Sequence, residues 1–342
     1  MGNSNAALAA HVKAFCARIG ADSLLVQGAG GNVSWKDDGV LWVKASGMRL
    51  ADAASKEIFV PVNLPHLQNA IAQSNFSVVP DVVDESSLKP SIETLLHALM
   101  PHPLVVHLHP VQVLSLLVRR DCEMALASLI GSAFSWRLVG YHKPGLHLAE
   151  GVSQALKQAS GSGVLFLQNH GVVVGADSIA EAEDIIQSMV TLCDRDRAHV
   201  EDKSTTLVGM PPKIDGYQRV SSPVVQQLAL NPVLFAMLEP CWALYPDHVV
   251  FLGSAPHTCA SAQDFQDNRD LDGGQSPDLI FILGDGVYVK PTFSGSKAEQ
   301  LQCYAEVLMR QRSPTGLNPL STSQVDELLN WDAEKYRIQM SK

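Results

Sequence analysis

The run Leu104-Val105-Val106-His107-Leu108-His109 is framed by Pro103 and Pro110, and no other stretch constrains the fold as tightly. Leu104–Leu108 is rich in β-formers, and a proline at each end of the run bars a helix from passing through, so these residues read as a strand. Side chains alternate between the two faces of a strand, so His107 and His109 point the same way at its end.

Other elements follow from periodicity and punctuation. Leu8, Val12, Phe15 and Ile19 recur at helical spacing until Gly20. Val33–Trp35 and Val40–Val43 are short strand-like runs joined by Lys36-Asp37-Asp38-Gly39, whose Asp-Gly end favours a hairpin turn. Pro90 opens a helix with Ile92, Leu95, Leu96 and Leu99 on one stripe and Glu93 and His97 on the opposite face, where His97 either pairs with Glu93 or, the favoured expectation, meets solvent. Helices are expected over Val111–Val118, Cys122–Ile130 and Ser178–Cys193, and a buried strand over Val164–Gln168 that Gly171–Val174 continues past a break.

Pro211, Pro212, Gly216 and Pro223 mark 210–223 as a linker, which divides the chain into domains 1–210 and 223–342. The second domain holds an apparent echo of the first. Leu165-Phe166-Leu167-Gln168-Asn169-His170-Gly171-Val172 aligns with Ile280-Phe281-Ile282-Leu283-Gly284-Asp285-Gly286-Val287, each followed by a helix-like stretch. Asp285 stands where the first copy has His170, so a true duplication would make the second domain a metal-free relative.

Among 342 residues, 46% are hydrophobic and 18% charged, enough apolar material for a sizeable core. The net charge is −10, and no basic run exceeds Arg119-Arg120, which argues against a nucleic-acid partner. A small anionic substrate is not excluded, because a few local donors suffice to hold one. The six cysteines show no C-x-x-C pair, as expected of reduced thiols in a cytoplasmic protein. The N-terminus lacks the pattern of a signal peptide, and no apolar run is long enough to span a bilayer.

A histidine on its own usually binds nothing. A pair at i,i+2 on one strand differs when a third, His170, sits at the end of another strand beside Gly171. Three neutral imidazoles with a fourth position open describe a catalytic zinc better than a closed structural one. Gly28-Ala29-Gly30-Gly31-Asn32 could bring backbone N–H groups close to an anion or simply turn the chain, and Lys44-Ala45-Ser46-Gly47 is a second small turn with a cation and a hydroxyl. His102, His142, His147 and His248 lack a partner pattern and read as surface histidines.

Taken in order, these parts resemble the class II aldolase/adducin superfamily over residues 5–200. Gly30-Gly31-Asn32-Val33-Ser34 looks like its Gly-Asn-x-Ser motif and Lys44-Ala45-Ser46-Gly47 like its Ser-Gly turn. His107-x-His109-Pro110 looks like its metal pair, and Asn169-His170-Gly171 like its third ligand. Pro90–His97 is similar in particular to the aldolase part of bifunctional rhamnulose-1-phosphate aldolase/alcohol dehydrogenases, although nothing after residue 210 resembles a dinucleotide loop.

The resemblance implies an α/β fold, three-layer α/β/α with a mostly antiparallel central sheet, followed by a smaller C-terminal α/β domain. It implies zinc on His107, His109 and His170, Glu93 as acid/base, and Gly31, Asn32, Ser46, Gly47 and Ser91 as substrate-binding residues. Ala29 and Ile92 stand where several sugar-phosphate aldolases have Thr and Ser, with Lys89 nearby as a compensating cation. Tyr141 occupies a loop suited to a tyrosine acid and reads equally well as a packing residue. The activity implied is retro-aldol cleavage of a ketose 1-phosphate by a tetramer. Epimerases, dehydratases and decarboxylases use the same scaffold, and adducin-like modules keep the fold without chemistry.

Overall fold

The computed structural model describes residues 2–84, 86–158, 161–197, 213–268, 276–311 and 313–340. In chain order α1 (Gly2–Gly20) leads into β1 (Asn32–Asp37), β2 (Val40–Lys44), β3 (Phe59–Asn63), α2 (Leu64–Ala72), α3 (Thr94–Leu99) and β4 (Leu104–Leu108). Then come α4 (Val111–Leu117), α5 (Cys122–Ile130), β5 (Trp136–Val139), α6 (Leu146–Gln158), β6 (Val164–Leu167), β7 (Gly171–Ala176) and α7 (Ile179–Cys193). These strands form one seven-stranded sheet in the order β3-β2-β1-β4-β7-β6-β5. Only the β5–β6 edge is parallel.

Alternation along the strands builds the layers. Leu104, Val106 and Leu108 of β4, with Phe166, Val172 and Val174, bury against α1, α5 and α7. Val105, Leu165, Leu167 and Val173 point the other way and pack with Leu96, Leu148 and Val152 of α3 and α6. The sheet therefore has helices on both faces, and α3 is covered on every side. The β1–β2 turn has Asp38 at φ 45° and Gly39 at φ 79°, the positive pair a tight hairpin needs.

The remaining elements are β8 (Gln218–Arg219), α8 (Pro223–Leu230), α9 (Pro232–Met237), α10 (Pro246–Leu252), β9 (Thr258–Cys259) and α11 (Ala262–Asn268). They end with β10 (Leu279–Ile282), β11 (Gly286–Val289), α12 (Gly295–Met309), α13 (Thr322–Leu329) and α14 (Asp332–Met340). Their four-stranded sheet has the order β8-β11-β10-β9. That is the order β4-β7-β6-β5 again, with the same antiparallel, antiparallel and parallel pairings. The hairpins β6–β7 and β10–β11 are each followed by a 15-residue helix. Between the two units lies α4, which gives Val113, Leu116 and Leu117 to the core beneath the first sheet and Val111 and Leu114 to the core of the second.

Three expectations need correction. Gly171–Val174 does not continue the strand before it but folds back antiparallel to it, because Asn169 takes a left-handed φ of 53° and reverses the chain. The helix expected from Pro90 becomes regular only at Thr94, after a turn over Ser91–Glu93. The stretch read as a linker contains β8, whose Arg219 pairs with Tyr288, and Ile214 is buried. Residues 210–212 of that stretch lie outside the described residues.

Candidate metal centre

The sheet register assembles the site. His107 on β4 lies opposite Asn32 on β1 and Val173 on β7. His109, two residues on, has left the ladder, and its backbone N–H donates to the Leu25 carbonyl at 3.2 Å. His170 ends the turn between β6 and β7. The Asn169 side chain anchors that turn, donating to the carbonyls of Leu244 and Asn318 at 2.8 and 2.7 Å. Gly171 follows because a Cβ there would meet the Leu108 carbonyl oxygen at 2.5 Å and the His109 ring at 2.6 Å.

The three buried imidazoles converge, with candidate ligand atoms all within 4.8 Å of one another. Two of the rings are oriented by oxygen atoms at Nδ1. His107 Nδ1 donates to the Val172 carbonyl at 3.0 Å, and His109 Nδ1 faces the Asp247 carboxylate at 3.3 Å. A carbonyl oxygen only accepts, so a neutral His107 carries its proton on Nδ1 and presents a lone pair at Nε2, while His109 Nδ1 stands at ion-pair distance from Asp247. His107 Nε2 and His109 Nε2 lie 3.1 Å apart. Without a cation one of them donates to the other, and an ion bound between them would take the place of that proton. Tetrahedral zinc with bonds of about 2.0–2.1 Å would set its nitrogens roughly 3.3 Å apart, so the residues fit such an ion.

Glu93 completes the cluster. Its Oε2 is 3.5 Å from His107 Nε2 and its Oε1 is 3.4 Å from His170 Nε2. Burial by itself pushes the Glu93 carboxyl up, but positive charge on His107, His170, His109 and His97, acquired only as they protonate in acid, outweighs it and draws the group down to about 2. Burial pushes His107 down, and His170 down to about 3, against the opposing pull of the Glu93 charge. The result is a carboxylate beside three imidazoles, a donor set suited to a divalent cation. Asn32 Nδ2 donates to Glu93 Oε2 at 2.8 Å, while Oε1 has no hydrogen-bond partner among the described residues.

Gly31, Asn32, Ser46, Gly47 and Ser91 line one cavity together with Glu93, His109 and His170. Gly31 and Gly47 have φ of 65° and 78°, which lets both turns bend around that cavity. Lys44 is buried beneath it, its ammonium donating to the carbonyls of Ala29 at 2.9 Å and Met48 at 2.6 Å. Lys89 does not line the cavity and instead sits 4.4 Å from the Tyr336 ring centroid. Nor does Tyr141, which packs against the C-terminal core.

Two histidines were misjudged. His97 is fully buried and pairs through Nδ1 with the Ser34 hydroxyl at 2.8 Å, because both faces of α3 are covered. His248 is also fully buried, among Trp242, Tyr245 and Tyr304. Asp247, which lines the cavity, escaped sequence reading altogether. An aspartate just after Pro246 looks like an ordinary first-turn acid of a helix, and no local spacing links it to His109.

Comparison with known proteins finds partial relatives. A Bacillus subtilis (strain 168) protein named Uncharacterized oxidoreductase YuxG is 25% identical over 204 residues, covering 54% of this chain but only 28% of the relative. The N-terminal class II aldolase domain of a conserved Thermoplasma acidophilum protein is 26% identical with a TM-score of 0.46, covering 54% of this chain and 91% of that one. The L-fuculose-1-phosphate aldolase of Thermus thermophilus is 17% identical with a TM-score of 0.40, covering 56% of this chain and 92% of that one. The family model described as Class II Aldolase and Adducin N-terminal domain matches residues 11–195, over half the chain, from within α1 to the end of α7, a span that includes the three histidines and Glu93, so the chain belongs to that family.

Proposed function

We propose that this chain is a zinc-dependent lyase that cleaves a ketose 1-phosphate by a retro-aldol reaction, with a substrate resembling rhamnulose 1-phosphate. The observation that carries the reading is the convergence of three buried imidazoles, His107, His109 and His170, with the Glu93 carboxylate against the same cluster. An adducin-like module without chemistry has no use for buried imidazoles held in that arrangement. Family membership supplies the scaffold but not the reaction, since one fold hosts many chemistries.

His107, His109 and His170 would hold the ion, which when bound polarises the carbonyl and hydroxyl oxygens of the ketose and stabilises the enediolate left as C3–C4 breaks. Glu93 moves the proton. Asn32 fixes Oε2, leaving Oε1 to take the proton of the C4 hydroxyl as the aldehyde departs and to return it to C3, giving dihydroxyacetone phosphate. Asn32, Ser46, Gly47 and Ser91 bind the phosphate end. Ala29 and Ile92 line the cavity without hydroxyls, so the remaining donors are backbone N–H groups and these side chains.

The test is elemental analysis followed by a screen of ketose 1-phosphates on zinc-loaded protein, with release of dihydroxyacetone phosphate as the readout. One zinc per chain and aldehyde release from at least one ketose 1-phosphate are expected, both lost in His107→Ala. Epimerised or dehydrated product would replace the lyase reading with another enediolate reaction on the same centre. Absence of stoichiometric metal would end both.

A further inference from the structure

The family match ends at residue 195, yet one wall of the metal centre comes from beyond it. Asp247 Oδ2 lies 3.3 Å from His109 Nδ1, and both side chains are buried, 4% and 6% exposed. Gln300 Nε2 donates to the same Oδ2 at 3.3 Å, which holds the carboxylate in place from α12. The glycine-rich loop makes room, since a Cβ on Gly30 would stand 3.0 Å from Asp247 Oδ2 and 3.4 Å from His109 Nδ1.

Topology shows that this contact is an addition. The second unit repeats β4 through α7 of the first, but α5 and β5 are joined by residues 131–135, whereas α9 and β9 are joined by 238–257, which include α10. Helix α10 therefore has no counterpart in the first unit, and it is the element that carries Asp247. Leu244, just before it, accepts the Asn169 bond that anchors the turn before His170.

We propose that Asp247 is a positioning residue for the metal centre, supplied by the C-terminal half of the same chain. Its carboxylate accepts the His109 Nδ1 proton, fixes that ring's tautomer and orientation, and keeps the Nε2 lone pair aimed at the point shared with His107 and His170. A carboxylate behind a metal-bound imidazole also raises its basicity, and loss of such a partner typically weakens metal binding by about 10–100-fold. The inference rests on the metal reading given above, and the two fail differently.

The experiment measures zinc affinity of the full chain by competition with a chromophoric chelator, and the visible absorption of the Co2+-substituted protein, for wild type, Asp247→Asn, Asp247→Ala and Glu299→Gln. Expected are stoichiometric binding by wild type, a loss of about 10–100-fold in Asp247→Ala with an altered Co2+ spectrum, and a smaller loss in Asp247→Asn, which retains an acceptor oxygen without the charge. Glu299 holds Gly28 and Arg49 from the same α12 without touching His109, so Glu299→Gln should stay within threefold of wild type. If wild type binds no zinc, the metal reading itself fails. If wild type binds but Asp247→Ala stays within threefold, or Glu299→Gln loses as much, the positioning role is wrong. Should Asp247→Ala prove unfolded by circular dichroism, Asp247→Asn decides on the same threefold criterion.

Discussion

At the scale of the residue, the site depends on which atom each polar group leaves unpaired. Glu93 is a hydrogen-bonded carboxylate at Oε2 and a bare one at Oε1, and only the bare oxygen can exchange a proton. Glu93→Gln preserves shape and the Asn32 contact through its carbonyl oxygen but removes the titrating group. A loss of roughly 10²–10⁴-fold in kcat is expected, with zinc stoichiometry by elemental analysis unchanged. A rate within tenfold of wild type would move the acid/base role elsewhere. Gly30→Ala tests the packing side of the same cavity. Its Cβ would lie 2.9 Å from the Gln27 carbonyl oxygen as well as 3.0 Å from Asp247, so the loop must shift. Chelator competition should show weaker zinc binding in that variant, and unaltered affinity would mean that the loop yields freely.

At the scale of the element, strands were easy to read and faces were not. The proline-framed run became β4 with the residues expected, and the Asp-Gly signal marked a real hairpin, because both rest on local chemistry. The convergence of the three histidines was legible for the same reason, since His107 and His109 stand two residues apart at the end of one strand and the pattern around His170 is compact. His97 was misplaced because a helical stripe implies a solvated opposite face, an assumption that fails when a short helix is enclosed by β2, α2, α6 and the sheet. The β6–β7 reversal was missed because Asn169 does at φ 53° what a glycine usually does. Its stability contribution can be separated. Asn169→Gly loses the bonds to Leu244 and Asn318 while keeping the backbone relaxed, whereas Asn169→Ala loses the same bonds and forces alanine into a left-handed conformation. Thermal or urea unfolding should place Asn169→Ala below Asn169→Gly by about 1 kcal/mol, with both below wild type. Equal stabilities would mean that the turn relaxes to another geometry.

At the scale of the whole molecule, the chain joins a unit carrying the three-histidine cluster to a second unit of matching topology without those histidines. Through the shared pairings, positions 107, 109 and 170 correspond to Arg219, Ser221 and Asp285, none of them an imidazole. What the second unit keeps is a core shared with α4, and at its centre lies His248. Neither of its ring nitrogens has a hydrogen-bond partner among the described residues, and burial pushes it down to about 3. In the unfolded chain a histidine titrates near 6.5, so between about pH 6.5 and 3 the unfolded state holds a proton that the folded state refuses. Stability supplied by the neutral ring is complete above pH 6.5 and falls as the pH drops below it, by up to about 1.4 kcal/mol per pH unit. His97 and His170 are pushed down to about 3 as well, so the metal-free protein should lose stability steeply on mild acidification, before carboxylates begin to protonate. His248→Leu removes one of these three contributions. Packing changes in the variant shift its stability equally at both pH values, so the difference between pH 7 and pH 5 is the diagnostic quantity. Urea unfolding of metal-free protein should show that difference reduced by about 2 kcal/mol relative to wild type. An unchanged difference would mean that His248 accepts its proton inside the folded core, and that the centre of the second unit is wetter than its aromatic walls imply.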